Sequence, residues 1–488
     1  MTEPFELSAT AALGMFRSKA LSPVEMMTSV IDRIGDVNSD INALTETMFD
    51  DAMAAAKAAE DHYVRGEYDG GTAVGRAPRQ AAGRAGAGQA SGDALLGLPV
   101  AVKEKHGIAG HTLSQGLLAH ADYVADRDHP LVERIRRGGG IIHARTTSPE
   151  FSCATVTQSP IWGVTRNPWN RDCSPGGSSG GSAAALAAGM TPLATASDIA
   201  GSTRIPAAFT GTVGYKGPYG RIPGMPPLSM DPYRGDGPMA RTVADTALLT
   251  NVMAGTHPLD HSSVPAPELL PLEFGPVEGM RIALCIRLGD YPVEPEIERN
   301  TRRVAAALKA TGVVVEEVEL PWSTQTIREV TMTHFGNILG PAMEELTAGT
   351  RDQLAPYTRR FMADAKSAAE RHTFWEGFAA EAKMQAELAA AMAGFDALLC
   401  PTSAVASLDA EGEYLDGIQV GGTHLQHYWE AHMTLPFNVA NRCPVLAVPG
   451  GFTDHGMPTG VQIVGHPYDD HTVFRVGAAI EQAAPWPL

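Results

Sequence analysis

The sequence predicts an α/β protein, because patterns typical of strands alternate with patterns typical of helices along the chain. Short apolar runs bounded by turn residues indicate buried strands, and apolar residues spaced three and four apart indicate helices that cover them. Strands are predicted at residues 96–102, 141–144, 280–287, 313–320, 395–401 and 444–449, and helices at residues 129–138, 296–311, 325–393 and 472–483. The sequence shows no internal repeat and no coiled coil.

The composition is that of a globular protein with a large core. The chain has 488 residues, of which 44% are hydrophobic and 19% charged. This length exceeds the usual size of a single core, so two domains are the default expectation from length alone. The formal net charge of −18 disfavours binding to nucleic acids or anionic membranes, which need a basic surface. We therefore expect neither as a partner.

The cysteines and the N-terminus predict a cytoplasmic location. The five cysteines are scattered and form no CxxC pair, as expected for reduced thiols. The first ten residues, MTEPFELSAT, lack the basic and apolar regions of a secretion signal. No uninterrupted apolar run has the length of a membrane span. We expect a soluble protein that is not exported.

Residues 174–206 contain two segments rich in small residues. In the first, four glycines bracket Ser178 and Ser179 and allow close backbone approaches that a Cβ would forbid. Residues 183–188 follow, with the composition of a tightly packed helix that Gly189 ends. The second segment, DIAGS, ends at Ser202 and can turn successive N–H groups toward one point. A flexible linker is the alternative, but linkers rarely continue into a helix and a second such turn.

Lys103 follows the predicted strand LPVAV, which would carry its side chain into the interior. An isolated lysine is usually a surface residue. Because side chains alternate along a strand, Glu104 should point to the opposite face, away from the ammonium group. Lys105 would share the face of Lys103 and lower its pKa if the strand continued, but a turn at this position is equally compatible with the sequence.

Four histidines precede residue 150 and could be considered as metal ligands. They are His106, His111, His120 and His143. Their spacing fits no common zinc site, and the HExxH motif is missing. We expect ordinary hydrogen-bonded or exposed histidines, with no metal and no cofactor.

These motifs resemble the amidase signature family of hydrolases. The resemblance rests on SPGGSSGGSAAALAAG and SDIAGSTRIPA, on the strand GLPVAVKE, and on later segments such as GPMAR, DALLCPT and GVQIVG. It covers residues 7–481. It implies one α/β/α unit with a large twisted mixed sheet covered by helices on both faces, and so replaces the expectation of two domains.

Within this fold we expect a helical segment at residues 1–65 that packs on an amidase signature domain at residues 66–488. The start of one helix is predicted at Ser22, with a proline and a glutamate at the positions of a capping box. Residues 70–92 are predicted to form a mobile loop rich in glycine and alanine. Residues 320–440, mostly helical, should cover the substrate.

The resemblance implies roles for three catalytic side chains. Ser202 would be the nucleophile, Lys103 the base and acid, and Ser178 the relay between them after a cis peptide bond with Gly177. Such a lysine must be neutral to accept a proton, so burial should lower its pKa from about 10.4 toward about 7 to 8.

The remaining site residues are expected to stabilise the oxyanion and to support the catalytic side chains. The oxyanion hole would be formed by the N–H groups of Ile199, Ala200, Gly201 and Ser202. Ala200 stands where the family more often has glycine. Alanine is tolerated at this position if its φ is negative. The supporting residues would be Gly177, Ser179, Asp198 and Arg204, with the last two forming an ion pair.

The predicted reaction is hydrolysis of the carbon–nitrogen bond of a small-molecule linear amide through an acyl-enzyme. The motifs do not distinguish amides from esters or carbamates, and a homodimer is left open. The first alternative is a glutaminase-type subunit of a tRNA-dependent amidotransferase, against which Asn441 and Arg442 weigh mildly. The second is an α/β-hydrolase esterase with Ser179 as nucleophile, since GSSGG fits GxSxG.

Overall fold

A computed structural model describes residues 2–68 and 92–487 of the protein. The loop expected at residues 70–92 lies, apart from Gly92, outside these described residues. Within them the chain forms a mixed α/β structure, as the sequence predicts.

Fifteen strands are found in the described part of the chain, and eleven of them form one large sheet. In chain order they are β1 (Leu44–Thr47), β2 (Pro99–Lys103), β3 (Ile141–Thr146), β4 (Gln158–Ser159), β5 (Gly163–Val164), β6 (Leu193–Asp198), β7 (Val213–Lys216), β8 (Gly235–Ala240), β9 (Arg281–Leu284), β10 (Val314–Glu317), β11 (Ala397–Pro401), β12 (Ile418–Val420), β13 (Thr423–Leu425), β14 (Val445–Phe452) and β15 (Pro458–Gly465).

Fourteen α-helices occur in the same described residues. They are α1 (Ala9–Ser18), α2 (Pro23–Ile41), α3 (Phe49–Arg65), α4 (Pro130–Arg137), α5 (Gly180–Ala187), α6 (Arg204–Thr210), α7 (Val243–Met253), α8 (Pro295–Ala310), α9 (Thr324–Asn337), α10 (Leu339–Leu346), α11 (Pro356–Arg371), α12 (Phe374–Ala391), α13 (Pro436–Val439) and α14 (Asp470–Ala483).

The large sheet is mixed. Its strand order is β1-β3-β2-β6-β8-β7-β14-β15-β11-β9-β10. Strand β2 runs parallel to both β3 and β6, and β9 runs parallel to β10 and β11, while the other neighbours are antiparallel. The α/β class that the sequence predicts and the mixed sheet that the resemblance implies are therefore confirmed.

Both faces of the sheet are buried. Along β11, Leu398 and Cys400 belong to one hydrophobic cluster, whereas Ala397 and Leu399 belong to another. Because successive side chains of a strand point to opposite faces, the two clusters lie on opposite sides of the sheet. The same alternation occurs in β2, where Val100 and Val102 belong to one cluster and Ala101 belongs to another. Helices cover both clusters, which explains why these strands read as continuous apolar runs.

The N-terminal segment combines predicted helices with one strand that the sequence pattern missed. Ser22 caps α2 and forms a capping box with Glu25, as predicted. Residues 44–47, inside the segment expected to be helical, instead form β1, which pairs antiparallel with β3. This pairing satisfies backbone N–H and C=O groups of β3. It is a long-range contact, which local periodicity does not report.

Helices α9 to α12 occupy most of the region between residues 324 and 391 and pack in the same hydrophobic cluster as α6. Phe209 of α6 contacts this cluster together with Met332 and Phe335 of α9. None of the helices in residues 2–68 and 92–487 has both the length and the apolar character needed to cross a membrane.

Candidate active site

The parallel pairing of β2 with β6 brings two segments of the predicted site together. Val100 and Ala101 of β2 pair with Leu193 and Ala194 of β6. The carboxyl ends of parallel strands meet at one edge of a sheet. Lys103, the last residue of β2, therefore lies beside the end of β6, where the turn toward Ser202 begins.

Lys103 is fully buried among serine hydroxyls. Its Nζ lies 2.7 Å from Ser178 Oγ, 2.9 Å from Ser179 Oγ and 3.1 Å from Ser197 Oγ. Its backbone N–H donates to Thr195 Oγ1 of β6 at 2.9 Å, which fixes the end of the strand. A neutral amine can accept one hydrogen bond and donate two, so three hydroxyls suit it well.

Burial lowers the pKa of Lys103 to about 7, from its usual value of 10.5. Desolvation is the largest cause, because a charged amine loses hydration in the interior. The carboxylates of Asp236, Asp198 and Glu104 act in the opposite direction and Arg234 acts with burial, but desolvation outweighs them. Lys103 can therefore take up and return a proton near neutral pH.

The residues after Lys103 form a turn, so Lys105 does not continue the strand. The ammonium of Lys105 lies 3.5 Å from Asp236 Oδ1. Glu104 accepts hydrogen bonds from Ser114 Oγ and from the Gln115 N–H, both at 2.7 Å. Of the two arrangements that the sequence allowed, the turn is the one found.

The glycines around Ser178 permit close packing. The Gly177–Ser178 peptide bond is cis. A Cβ on Gly177 would lie 2.6 Å from the Val156 carbonyl oxygen, and one on Gly180 would lie 2.3 Å from Thr157 Oγ1. These contacts leave no room for larger residues, so the glycines place Ser178 against Lys103.

Ser179 does not have the setting of an esterase nucleophile. It precedes α5 directly, but the residues before it form no strand, whereas a nucleophile elbow joins a strand to a helix. Ser179 is fully buried, and its Oγ contacts Lys103 and the Ser197 backbone. The esterase alternative therefore loses its structural basis.

Ser202 and Ser178 line the same cavity. Ser202 is 4% exposed and lies at the end of the turn that follows β6. No hydrogen bond joins Ser178 Oγ to Ser202 Oγ among the described residues, so the structure shows the Lys103–Ser178 contact directly and the second link only as shared lining of the cavity. Contacts of this kind are often long without substrate and shorten when substrate binds.

Three carbonyl groups of the turn from residue 199 to residue 202 are held by hydrogen bonds. The Thr434 hydroxyl donates to the Ala200 carbonyl at 2.6 Å, the Ile205 N–H to the Gly201 carbonyl at 2.7 Å, and the Ser179 N–H to the Ser202 carbonyl at 3.2 Å. A carbonyl fixed in this way also fixes the N–H of the next residue, because the peptide unit is planar.

The N–H groups of the same turn differ in availability. The Gly201 N–H already donates to Asp198 Oδ1 at 2.8 Å. Ile199, Ala200 and Ser202 have no acceptor for their N–H groups among the described residues. Ala200 is not among the residues with positive φ, whereas Gly201 has φ +116°. The turn therefore offers three free donors rather than the four expected.

Asp198 and Arg204 form a buried ion pair beneath this turn. The guanidinium Nε and one terminal nitrogen each lie 2.9 Å from a carboxylate oxygen of Asp198. Asn438 donates to the same carboxylate at 2.9 Å. Burial alone would raise the pKa of Asp198, but Arg204 and Asn438 hold it well below its usual value. The pair ties the turn to α6 and α13.

The cavity at Ser202 has two lobes that share Ile199 and Leu339. The first, called here the Ser178 lobe, has a mixed lining of Ser178, polar and charged residues (Lys105, Gln115, Asp198 and Arg234) and apolar residues (Phe151, Leu228, Met343 and Leu346). The second, called here the Trp429 lobe, is lined mainly by apolar side chains: Met332, Phe335, Phe361, Trp429 and Leu435. Ser202 lies at the junction of the two lobes.

The histidines have the hydrogen-bonded settings expected, with one exception. His111 contacts Glu46 at 2.7 Å and His143 contacts the Met190 carbonyl at 3.0 Å. His120 packs near Tyr123, with the ring centroids 6.0 Å apart, but its buried Nδ1 has no hydrogen-bond partner among the residues that the structure describes.

His106 joins His129 and Asp236 in a buried group with ligand atoms close enough to hold a metal ion, here called the Asp236 cluster. The two imidazole Nε2 atoms lie 3.0 and 3.4 Å from the Asp236 carboxylate. The Lys105 ammonium also faces that carboxylate and offsets its charge.

Sequence reasoning missed three groups near the base. Ser197 contacts Lys103, and its only sequence indication is its place beside Asp198. The Asp236 cluster joins three distant segments, which no spacing motif reports. Arg234 lines the Ser178 lobe from the loop before β8.

A larger cavity, of about 450 Å³, lies elsewhere, between α12 and the segment that contains Asn441 and Arg442. It contains Cys443, but burial raises the pKa of this thiol to about 11. A thiol of that pKa is a poor nucleophile near neutral pH. The smaller cavity at Ser202 is therefore the better candidate for the chemistry.

Comparison with known proteins identifies the family of the chain and several of its relatives. A family model described as Amidase matches residues 25–474. An acylamidase of Rhodococcus erythropolis is 31% identical over 98% of this chain and 96% of its own length. A glutamyl-tRNA(Gln) amidotransferase subunit of Chloroflexus aurantiacus is 29% identical over 100% of this chain and 98% of its own length.

Solved structures that resemble this protein point to the same family as the sequence relatives. A bacterial aryl acylamidase of the amidase signature family superposes with a TM-score of 0.86 at 27% identity, covering 99% of this chain and 97% of that protein. A 6-aminohexanoate cyclic dimer hydrolase superposes with a TM-score of 0.81 at 26% identity, covering 100% and 98%. The chain belongs to the amidase family. It is an amidase-signature hydrolase that acts on carbon–nitrogen bonds of amides.

Proposed function

We propose that the protein hydrolyses linear amides through an acyl-enzyme on Ser202, with Lys103 as the base and Ser178 as the relay. The observation that carries the proposal is the 2.7 Å contact between Lys103 Nζ and Ser178 Oγ, because Ser178 lines the same cavity as Ser202. A serine hydroxyl needs a neighbouring base to become nucleophilic. Lys103, with its lowered pKa, supplies that base near neutral pH.

In the proposed reaction, Ser202 Oγ attacks the carbonyl carbon as its proton passes to Ser178 and the Ser178 proton passes to Lys103. The charge that develops on the carbonyl oxygen is stabilised by the free N–H groups of Ile199, Ala200 and Ser202. Lys103 then returns the proton through Ser178 to the nitrogen, and the carbon–nitrogen bond breaks. Water repeats the sequence on the acyl-enzyme and releases a carboxylic acid.

The Trp429 lobe supports an apolar acyl group over glutamine. A glutaminase must bind the ammonium and carboxylate of glutamine, and such charges need paired partners when buried. The lobe instead presents Phe335, Phe361 and Trp429 beside Ser202. Two relatives named as acylamidases fit this preference, whereas the relatives named as parts of an amidotransferase keep the glutaminase as the second candidate.

Trapping of the acyl-enzyme tests the proposal. The purified protein is incubated with an activated ester of phenylacetic acid, and the intact mass and the modified peptide are measured by mass spectrometry. We expect one acyl group on the peptide that contains Ser202 and none on the Ser202→Ala variant. Acylation of Ser179 in both proteins would contradict the proposed nucleophile. Preferential hydrolysis of glutamine over apolar amides would favour the glutaminase.

A cytoplasmic location and a small-molecule substrate complete the proposal. All five cysteines are free thiols, which suits a reducing compartment. The homodimer left open by the sequence stays a prediction.

A further inference from the structure

Arg234 is a cation in the wall of the catalytic cavity, and its side chain has no direct partner among residues 2–68 and 92–487. It lines the Ser178 lobe together with Ser178 and Ser202. Its side chain is partly buried, and its Nε is buried without a hydrogen-bond partner in the described part of the chain. Buried polar groups are normally hydrogen-bonded, so an unpaired guanidinium nitrogen in a cavity calls for a ligand.

The nearby carboxylate does not pair with Arg234. Asp236 faces Lys105, His106 and His129 instead. Among the described residues, no carboxylate oxygen lies within 4.0 Å of the Arg234 guanidinium. Burial lowers the pKa of Arg234, and Asp236 offsets this only in part. A guanidinium stays charged in proteins, so this cation is left to be satisfied by something that enters the lobe.

The position of the relay shows which half of the substrate lies near Arg234. In the proposed reaction, Ser178 delivers the proton to the leaving nitrogen. Ser178 lines the lobe that contains Arg234 and does not line the Trp429 lobe. The amine half of the amide must therefore lie in the Ser178 lobe, and the acyl half in the Trp429 lobe.

We propose that the substrates are amides of an apolar acyl group with an amine that bears a carboxylate, the class of N-acylamino acids, and that Arg234 binds this carboxylate. A planar guanidinium matches a carboxylate through two parallel hydrogen bonds. Hydrolysis consumes one water, breaks the carbon–nitrogen bond and releases the apolar acid and the free amino acid, whose carboxylate is unchanged. This inference rests on the proposed function.

A pair of matched substrates tests it. Phenylacetylglycine and phenylacetylglycinamide share the scissile amide and differ in the charge next to Arg234. Release of phenylacetate is measured for both, so cleavage of the terminal amide does not count. Hydrogen bonds to charged groups contribute enough to favour the anionic substrate by about 10- to 100-fold in kcat/KM.

The Arg234→Ala variant should remove this preference, and Arg234→Lys should keep part of it because it keeps the charge. Since Arg234 also lowers the pKa of Lys103, its loss alters the rate with both substrates, but the ratio of the two kcat/KM values cancels that effect. Arg442→Ala removes a guanidinium that lies outside the catalytic cavity and should leave the ratio unchanged.

Binding to the Ser202→Ala variant separates this inference from the proposed function. Calorimetry with the same two compounds should give a Kd at least about tenfold lower for the anion, and the difference should vanish in Ser202→Ala/Arg234→Ala. Hydrolysis of both amides at equal kcat/KM, with equal binding, would overturn the Arg234 assignment and leave the amidase intact. A binding difference without turnover would support Arg234 and overturn the proposed reaction.

Discussion

Replacement of Lys103 by methionine tests the base directly, since methionine is also long and unbranched but cannot accept a proton. With a pKa of about 7, half of Lys103 is neutral at pH 7. An amine with an ordinary pKa would be neutral in only about one molecule in 3000 at that pH. The lowered pKa thus increases the active fraction by a factor of about 1500.

From this ionisation we expect the wild-type kcat/KM to rise with pH and to level off above about pH 7, because only the neutral amine accepts the proton from Ser178. Lys103→Met should lower kcat/KM by about 100- to 10,000-fold, the usual contribution of a general base. Hydrolysis of phenylacetyl-4-nitroanilide between about pH 5 and about pH 10 measures both, with the release of nitroaniline followed by absorbance.

Lys216 provides a matched control. It is also fully buried, and burial lowers its pKa to about 7 as well. Its Nζ contacts the Cys443 carbonyl at 3.0 Å and the Asn441 side chain, but none of the serine hydroxyls in the described ranges. Lys216→Met should therefore retain turnover within a few-fold per folded molecule, with folding checked by circular dichroism. Equal losses in both variants, or a wild-type profile without an inflection near pH 7, would refute the reasoning.

Three further predictions concern the surroundings of the triad. Gly201→Ala should lower both Tm and turnover, because its Cβ would lie 2.1 Å from Thr434 Oγ1 at a φ of +116°; an active variant with wild-type Tm would argue against the rigid turn. Arg204→Met leaves the buried Asp198 unpaired and should lower the free energy of unfolding by about 3–5 kcal/mol in urea denaturation, and a negligible loss would contradict this. Incubation with EDTA should not change kcat, since the proposed chemistry needs no metal; inhibition that zinc reverses would point to a metal in the Asp236 cluster.

The sequence predicts the parts of this site that depend on local pattern. The strand before Lys103, the helix after Ser179 and the capping box at Ser22 all follow from the alternation of side chains or from helix-end chemistry. Each needs only a few neighbouring residues, so one sequence is enough to locate it. The α/β class follows from the same patterns, whereas the mixed sheet follows from the family resemblance.

The parts that could not be predicted depend on contacts between distant segments. Residues 44–47 form a strand only because β3 offers an open edge. The Gly201 N–H is unavailable as a free donor because the Asp198 side chain folds back to accept it, which no propensity reports. Arg234 reaches the catalytic cavity through the path of the loop before β8, and it lies outside the segments that carry the family resemblance.

The neutral state of Lys103 depends on how the nearby carboxylates are paired. The sequence suggested that a base of this kind must lie away from carboxylates, yet Asp198, Asp236 and Glu104 all raise its pKa. Each of them already has partners of its own. Asp198 accepts hydrogen bonds from Arg204 and Asn438, and Glu104 accepts them from Ser114 and Gln115. Asp236 faces Lys105, His106 and His129. A carboxylate satisfied in this way does not need the Lys103 proton, so desolvation decides the ionisation of the base.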